Sequence, residues 1–412
     1  MLQSALGLIV LVALAWALSE NRKRVSLVTI GVGLALQLAL GLVMLKLPVF
    51  EQIFIALNSA ALALEQACAA GTTFVFGYLG GGALPFQESY PGAAFVFAFK
   101  SLPLIMLMAA LSAVLYYWRV LPLVVQGFSW CLERTMKVGG ALGVGAASNI
   151  FLGMVEAPLV IRPYLSTMTR SELFSLMTCG MATIAGTMLV LYASILSSVI
   201  PNSMGQILAA SLISAPAAIL VSRVMVPETG DVTHGNAVPP HEAASTMDAV
   251  IHGTNDGLKI WLNVLATLVV LVALVALANI CLGALPDVAG EGLSLQRVLG
   301  WIMAPVVWAI GIPWSEAQAA GSLMGTKTVL NEFIAYLDMA KLGPEALSDR
   351  SRIIMTYAMC GFANLGSLGI MVAGLSSMAP DRRSDIVSLG ARSVVSGTLA
   401  TLMTGAVVGI IL

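Results

Sequence analysis

The sequence predicts an all-α polytopic membrane protein with eight transmembrane helices, two re-entrant helical hairpins in inverted repeats, and interfacial helices. Three observations carry this prediction: the composition, a series of apolar runs of helical length, and an internal repeat. Of the 412 residues, 58% are hydrophobic and 10% are charged, and the mean hydropathy is +0.94, whereas about a quarter of a soluble domain is charged. Such a chain cannot cover its surface with polar groups, so we expect its outer surface to face lipid.

Charge and motif content exclude several other classes of protein. The net charge is −1 and the longest basic block is Arg22-Lys23-Arg24, so a nucleic-acid partner is not expected. The sequence contains neither a Ser/His/Asp set nor an HExxH motif, which argues against an enzyme with an intramembrane active site. The cysteines occur singly in apolar runs, without a CxxC pair that would indicate a disulfide or zinc site; they are Cys68, Cys131, Cys179, Cys281 and Cys360.

Eight apolar runs have the length of about 20 residues that a bilayer-spanning helix needs. The first run lacks the preceding basic residues of a signal peptide, so we expect a retained spanning helix with its N-terminus outside. Most later basic clusters then fall on the inner side, with Arg350 and Arg352 as exceptions. The runs cover about 2–18, 26–46, 95–118, 173–199, 205–226, 258–283, 353–378 and 385–411.

Two longer apolar stretches, about 120–160 and 297–337, exceed one span and are interrupted by Gly, Asn, Thr and Glu. They predict re-entrant hairpins, whose irregular backbone is tolerated only where protein or a cavity shields it. The stretch 49–79 mixes polar with apolar residues and predicts an interfacial helix. Its polar residues are Glu51, Asn58, Glu65 and Gln66.

The longest polar stretch holds all three histidines, His234, His241 and His252, and predicts a cytoplasmic linker. This linker, residues 227–256, divides the chain. We expect N-terminal helices, an interfacial helix and part of a scaffold in 1–118, a first repeat in 119–226, a scaffold helix in 257–284 and a second repeat in 285–412.

An internal repeat follows the two hairpins. The first hairpin precedes Arg170-Ser171 and the segment CGMATIA (179–185), and the second precedes Arg350-Ser351 and CGFANLG (360–366). Each copy has a hairpin, a basic loop and a helix interrupted by small polar residues, and the two loops fall on opposite sides. Paired interrupted helices in inverted repeats indicate the mid-membrane binding site of a secondary transporter. Chance similarity between two Gly- and Ala-rich helices is the alternative, which the shared order disfavours.

Two carboxylates occupy corresponding places in the hairpins, Glu156 and Glu332. A carboxylate at membrane depth costs several kcal/mol unless it is paired or solvated, so such residues are usually functional. Both can accept hydrogen bonds from sugar hydroxyls or base N–H groups. The alternative is that they lie at hairpin ends in the headgroup region and are solvated.

Three uncharged oxygen-bearing side chains, Asn149, Thr183 and Asn364, lie beside the helix breaks. Together with free backbone carbonyls they suit a hard cation, although local capping of the breaks explains them equally well. Two glycine-containing segments, 80–82 and 325–328, lack the strand context of a phosphate loop. We expect turns in both.

At these residues the chain resembles the concentrative nucleoside transporter family. The resemblance covers nearly the whole chain, in order, and its motifs are long and specific to the family. The matching segments are EAPL (156–159), IRPYL (161–165), MTRSEL (168–173), ATIAG (182–186), GTKTVLNEF (325–333), CGFANL (360–365) and APDRRSD (379–385).

The resemblance implies the fold stated above, assembled as a homotrimer in the inner membrane with lipid around it. A scaffold portion would form the trimer, and a mobile portion with both hairpins and both interrupted helices would carry substrate in an elevator motion. The implied activity is nucleoside symport coupled to sodium or to protons, with no cofactor besides the coupling ion. We therefore expect that the protein is not an enzyme.

The resemblance also assigns residues. It places ribose binding at Glu332, Asn364 and Ser367, with Phe362 lining the pocket. It places a sodium site at two side chains and two carbonyls, namely Asn149, Thr183, Leu152 and Ile184. Thr183 stands where a serine is frequent in the family, and it keeps the hydroxyl.

The tip of the first hairpin departs from the family. Members usually read Gly-Gln-Thr-Glu, in which Gln and Thr meet the nucleobase, but here the tip is Gly153-Met154-Val155-Glu156. A thioether is a weak acceptor and valine has no hydroxyl, so hydrogen bonding to the base is largely lost, and Met188 adds apolar lining.

Two alternatives to nucleoside transport stay open. One is a carrier for another ribosylated or polyhydroxylated solute. The other, from different classes of protein, is an intramembrane enzyme or a structural scaffold.

Overall fold

The structure is a computed structural model that describes residues 1–88, 94–233, 243–288, 290 and 292–412. Seven helical segments in these residues are long and apolar enough to cross a membrane. They are Leu27–Lys46, Pro48–Gly80, Phe97–Tyr117, Arg170–Leu196, Ser203–Met225, Thr246–Gly283 and Pro380–Ile411. The chain is therefore polytopic and helical as predicted, while the count of eight spans stays a prediction.

The described residues of the N-terminal part form five helices. The apolar run expected over 95–118 is two helices, because residues 101–103 interrupt it as turns. The expected interfacial segment is one long helix that begins with a proline in its first turn, a position where the missing N–H is harmless. It is also long enough to span, so its interfacial position stays a prediction. The helices are α1 (Leu2–Ala17), α2 (Leu27–Lys46), α3 (Pro48–Phe76), α4 (Phe97–Lys100) and α5 (Leu104–Tyr117).

The first repeat contains six helices, and its hairpin is shorter than the predicted stretch of about 120–160. Residues 120–136 form a separate amphipathic helix, which ends at Lys137 in the left-handed conformation with φ of 51°. Only the next two helices are the hairpin arms, and residues 150–155 form the tip between them. The helices are α6 (Val120–Met136), α7 (Gly140–Asn149), α8 (Glu156–Val160), α9 (Arg170–Ala182), α10 (Gly186–Leu196) and α11 (Ser203–Met225).

The second repeat has the same six-helix order. Its hairpin is interrupted at residues 330–331, and its broken helix at residues 360–364. The turn expected at 325–328 is wrong, because these residues continue a helix up to Val329. The helices are α13 (Leu295–Ala309), α14 (Ala317–Val329), α15 (Glu332–Lys341), α16 (Asp349–Met359), α17 (Leu365–Met378) and α18 (Arg383–Ile411).

The helix between the repeats, α12 (Thr246–Gly283), begins earlier than the sequence predicted. Residues 246–256 are helical, so the boundary at 256 between linker and scaffold helix is wrong. The Ser245 side chain accepts a hydrogen bond from the Asp248 N–H and caps this start. His252 therefore lies on a helix, whereas His234 and His241 lie outside the described residues.

The described start of the linker is attached to the first repeat. Glu172, which is fully buried in the first turn of α9, accepts hydrogen bonds from the Thr233 N–H at 2.9 Å and the Thr233 hydroxyl at 2.6 Å. The same carboxylate closes a capping box with Thr169. One side chain thus fixes both the start of α9 and the beginning of the linker.

The core is formed by α9, α11, α16 and α18, which pack against one another. Hydroxyl pairs join these helices: Ser175 with Ser222 at 2.8 Å and Thr178 with Ser396 at 2.7 Å. Small polar residues allow close helix packing and satisfy each other across the interface. Helices α5 and α12 pack together as a pair beside this bundle, and α5 contacts it through α10.

Candidate functional site

The two interrupted helices meet at their breaks. The Phe362 N–H donates to the Thr183 carbonyl at 3.3 Å. Gly361 leaves no room for a side chain, because a Cβ there would lie 2.8 Å from the Met181 carbonyl oxygen. The breaks of the two repeats therefore form one unwound region inside the bundle, where backbone groups are free of helical partners.

A buried carboxylate lies at this region. Glu332 accepts a hydrogen bond from the Tyr192 hydroxyl at 2.6 Å and from the Asn364 amide at 3.1 Å. Asn364 also caps α17 by accepting from the Ser367 N–H at 2.8 Å. The exposed fractions are 2% for Glu332 and Asn364 and 7% for Ser367. The structure thus brings together the three residues expected at the sugar end, and half-buried Phe362 lies beside them in the second break.

Sequence reasoning missed Tyr192, the second donor to Glu332. This residue of α10 is 1% exposed, and its ring lies 5.3 Å from the Tyr336 ring and 6.1 Å from the Phe333 ring. The available signal was a single phenol in an apolar helix directly after the first break. A buried tyrosine hydroxyl usually has a hydrogen-bond partner, and that partner had to come from elsewhere in the chain.

The residues expected at a cation site also lie together. The Thr183 hydroxyl is 3.0 Å from the Asn149 carbonyl oxygen and 2.9 Å from the Cys179 carbonyl oxygen. The Asn149 side-chain oxygen is buried and has no hydrogen-bond partner in the described chain. An unsatisfied amide oxygen among carbonyls and a hydroxyl is the oxygen-only environment that a hard cation prefers. Of the expected carbonyl ligands, Leu152 lies in the hairpin tip and Ile184 in the first break.

The altered tip residues point at the interrupted helices. A Cβ at Gly180 of α9 would lie 3.0 Å from Met154 Cβ, and a Cβ at Gly374 of α17 would lie 3.0 Å from Val155 Cγ1. Met188, at the start of α10, is 7% exposed. Met154 and Val155 therefore lie where the hairpin tip approaches the interrupted helices of both repeats, and Met188 is buried just after the first break.

Glu156 is separate from the Glu332 cluster. Its side chain is exposed, and no hydrogen bond joins it to Glu332 within the described residues. It lines a cavity of about 270 Å³ between the first hairpin and the α5–α12 pair, together with Gly153, Tyr116, His252 and Asp256. Glu156 and Glu332 thus lie in different surroundings, although they occupy corresponding positions in the two repeats.

Together, the unwound crossing, the buried polar cluster and the oxygen-lined break indicate a polytopic membrane transport protein. Comparisons with known proteins give the particular family. Family models match three parts of the chain: the N-terminal part of Na+ dependent nucleoside transporters at residues 6–79, a nucleoside recognition (Gate) model at 98–199, and the C-terminal part of Na+ dependent nucleoside transporters at 206–409. The chain belongs to the sodium-dependent nucleoside transporter family.

Relatives and solved structures cover nearly the full chain. The nucleoside permease NupC of Helicobacter pylori is 35% identical over 99% of this chain and 97% of its own length. An uncharacterized transporter of Haemophilus influenzae is 37% identical over 99% of this chain and 97% of its length. The transporter CNTnw, solved in an inward-facing substrate-bound state and as a variant in an outward-facing state, is 38% identical with a TM-score of 0.91 in both, covering 100% of this chain and 97% of that chain. These relatives are transporters, which confirms that the protein is not an enzyme.

Proposed function

We propose that this protein is a cation-coupled symporter that imports nucleosides across the bacterial inner membrane. The single observation that supports it best is the cluster of Glu332, Asn364 and Ser367 at the crossing of the two helix breaks. A carboxylate and an amide oxygen accept hydrogen bonds, and an amide N–H₂ and a hydroxyl donate them, so the cluster suits the vicinal hydroxyls of a ribose. The name of the Helicobacter pylori relative agrees with this substrate class.

Sodium is the proposed coupling ion, held by Asn149 and Thr183 with the carbonyls of Leu152 and Ile184. The Gly186 N–H donates to the Phe151 carbonyl at 3.0 Å, so the tip of the first hairpin is attached to the first helix break. An ion at this junction would stabilise the attachment of the hairpin tip to the first helix break. Because the same break also contacts the substrate cluster, ion binding and substrate binding would favour each other.

The transport motion is proposed as an elevator movement within a homotrimer surrounded by lipid. The α5–α12 pair is a candidate for the static scaffold, because it packs beside the bundle that holds both hairpin tips and both breaks. CNTnw has been solved in inward-facing and outward-facing states, which is the behaviour expected of such a carrier. Glu156 and the cavity between the tip and this pair would then lie on the path by which substrate leaves.

Base selectivity is proposed to favour purines. An apolar surface discriminates weakly between base edges but packs well against a large ring. Met154, Val155 and Met188 supply that surface, and Glu156 is the polar residue that directly follows Val155.

Uptake by proteoliposomes tests the proposal. Purified protein is reconstituted, and uptake of labelled adenosine is measured with and without an inward sodium gradient, beside Glu332→Ala and protein-free vesicles. We expect saturable, sodium-stimulated uptake that Glu332→Ala abolishes while the amount of reconstituted protein is unchanged. Normal nucleoside affinity in Glu332→Ala would refute the assignment of the sugar end. Competition by other ribosylated or polyhydroxylated solutes, without competition by nucleosides, would favour the alternative carrier.

A further inference from the structure

Lys327 is a buried cation that the proposed transport site does not use. It lies in the last turn of α14 and is 0% exposed. Its Nζ atom has no hydrogen-bond partner in the described part of the chain. The other lysines, Lys23, Lys46, Lys100, Lys137, Lys259 and Lys341, are all exposed. Burial of an unpaired ammonium is strongly unfavourable, so a compensating charge is expected nearby.

Glu332 is the candidate for that charge. It follows Lys327 by five residues across the interruption between α14 and α15, and both side chains are buried, with exposed fractions of 2% and 0%. The other titratable groups that act on this pair are Tyr192 from α10, Tyr336 from α15 and Cys360 at the end of α16. None of these three groups is a carboxylate, so Glu332 is the only carboxylate in this set of four.

Helix ends strengthen this arrangement. Lys327 lies at the C-terminal end of α14, where the helix dipole favours a cation. Glu332 lies in the first turn of α15, where the dipole favours an anion. The interruption of the second hairpin therefore separates two opposite charges, each at the helix end that stabilises it.

We propose that Lys327 is the internal counter-charge of Glu332, a positioning residue that keeps the substrate-binding carboxylate ionised inside the closed site. An ionised carboxylate only accepts hydrogen bonds, which is what the hydroxyls of a sugar require. The pair also has no net charge, so it would add nothing to the charge that the mobile unit carries across the membrane. This inference rests on the proposed function, because it assigns Glu332 to substrate.

Binding measurements at several pH values test the role of Lys327. Lys327→Met keeps much of the volume and removes the charge, and Lys341→Met is the matched control at an exposed lysine. Adenosine binding is measured on purified protein by calorimetry from about pH 6 to pH 9. A carboxylate without its counter-charge binds a proton more readily. We expect affinity of Lys327→Met to fall at least tenfold at neutral pH and to recover as the pH rises, while wild type and Lys341→Met change little. A loss of equal size at every pH, or no loss, would overturn the proposal.

Thermal unfolding without substrate provides a readout that does not depend on nucleoside binding. It compares wild type, Lys327→Met, Glu332→Gln and the double variant. Removal of one partner leaves a buried group uncompensated, whereas removal of both does not. We expect the double variant to unfold at a higher temperature than Lys327→Met, and additive losses would contradict the pairing. If wild type binds no nucleoside but this coupling is present, the proposed function fails while the charge pair stands.

Discussion

The Tyr192 hydroxyl donates a hydrogen bond to Glu332 at 2.6 Å, and this contact joins the first repeat to the second at the centre of the bundle. Tyr192 follows the break of the first interrupted helix, and Glu332 begins the second arm of the other hairpin. The carboxylate is therefore fixed by two different elements, because Asn364 holds its other oxygen. A substrate that forms a hydrogen bond with Glu332 would therefore affect contacts in both repeats.

Tyr192→Phe removes this donor and leaves one carboxylate oxygen without a partner. An unsatisfied buried acceptor costs about 1–3 kcal/mol, so we expect a lower unfolding temperature and weaker nucleoside uptake at normal protein levels. Thermal unfolding of the purified protein measures the first effect and proteoliposome uptake the second. Tyr78→Phe, at an exposed tyrosine, is the control. Equal stability of Tyr192→Phe and wild type would show that the contact is not formed in solution.

Thr183→Ala should weaken sodium dependence, because it removes one of the proposed ligand oxygens. We expect the sodium concentration for half-maximal uptake to rise on the order of fivefold, equivalent to about 1 kcal/mol, while Thr183→Ser keeps the wild-type value. Uptake of labelled nucleoside across a sodium titration measures this. Full uptake driven by a proton gradient in sodium-free buffer would disprove the sodium site and make Glu156 the favoured coupling group.

The double variant Met154→Gln with Val155→Thr should shift selectivity toward pyrimidine nucleosides without abolishing transport. The new amide and hydroxyl can form hydrogen bonds with a base edge, which the present side chains cannot. Competition of labelled adenosine uptake by uridine, cytidine and inosine in both proteins measures the shift. If wild type already prefers uridine tenfold, about 1.4 kcal/mol in affinity, these side chains do not face the base.

Glu20 predicts a pH dependence of stability. This residue of the loop between α1 and α2 forms an ion pair with Arg170 at 3.0 Å and contacts Arg392. The hydrogen bond from Arg170, followed by the charges of Arg170 and Arg392, holds the pKa of Glu20 below its usual range against the opposing effect of partial burial. A lowered pKa in the folded state means stability that is present above the unfolded pKa and is lost as the pH falls through the folded pKa.

Thermal unfolding of wild type and Glu20→Gln at about pH 7 and about pH 4 measures this contribution. We expect Glu20→Gln to unfold at a lower temperature at the higher pH, and the two proteins to converge as the medium becomes acidic. Glu51→Gln, at an exposed carboxylate of α3, is the control. A difference that does not change with pH would show that the ion pair does not contribute through its charge.

Hydropathy and the internal repeat predicted the helical class and the paired breaks, because these depend on local sequence. The sugar-end residues Glu332, Asn364 and Ser367 lie together as expected, since their motifs flank the interruptions of two elements that cross. The roles assigned to them stay predictions. Tyr192 was not predictable in this way, because its partner is 140 residues away in sequence and only the packing of α10 on α15 brings the two together.

The ends of the helices were less predictable from the sequence than the presence of the helices. Helix α6 ends at Lys137 through a left-handed residue, which hydropathy does not detect. Helix α12 extends into a polar region because Ser245 caps its start there. Glu156 and Glu332 correspond in sequence but not in surroundings, since one hairpin tip faces the cavity at the α5–α12 pair and the other faces the core.

The contact between Glu172 and Thr233 limits how far α12 and the bundle can separate. The chain leaves α11 at Met225 and enters α12 at Thr246, but the hydrogen bonds of Glu172 hold it against α9 as far as Thr233. About twelve residues then remain to reach Ser245, and they extend to at most roughly 40 Å, compared with roughly 65 Å if the tether began at Val226. Glu172 therefore shortens the length of chain available between α9 and α12, and in the proposed elevator movement this contact would limit how far the two helices can separate.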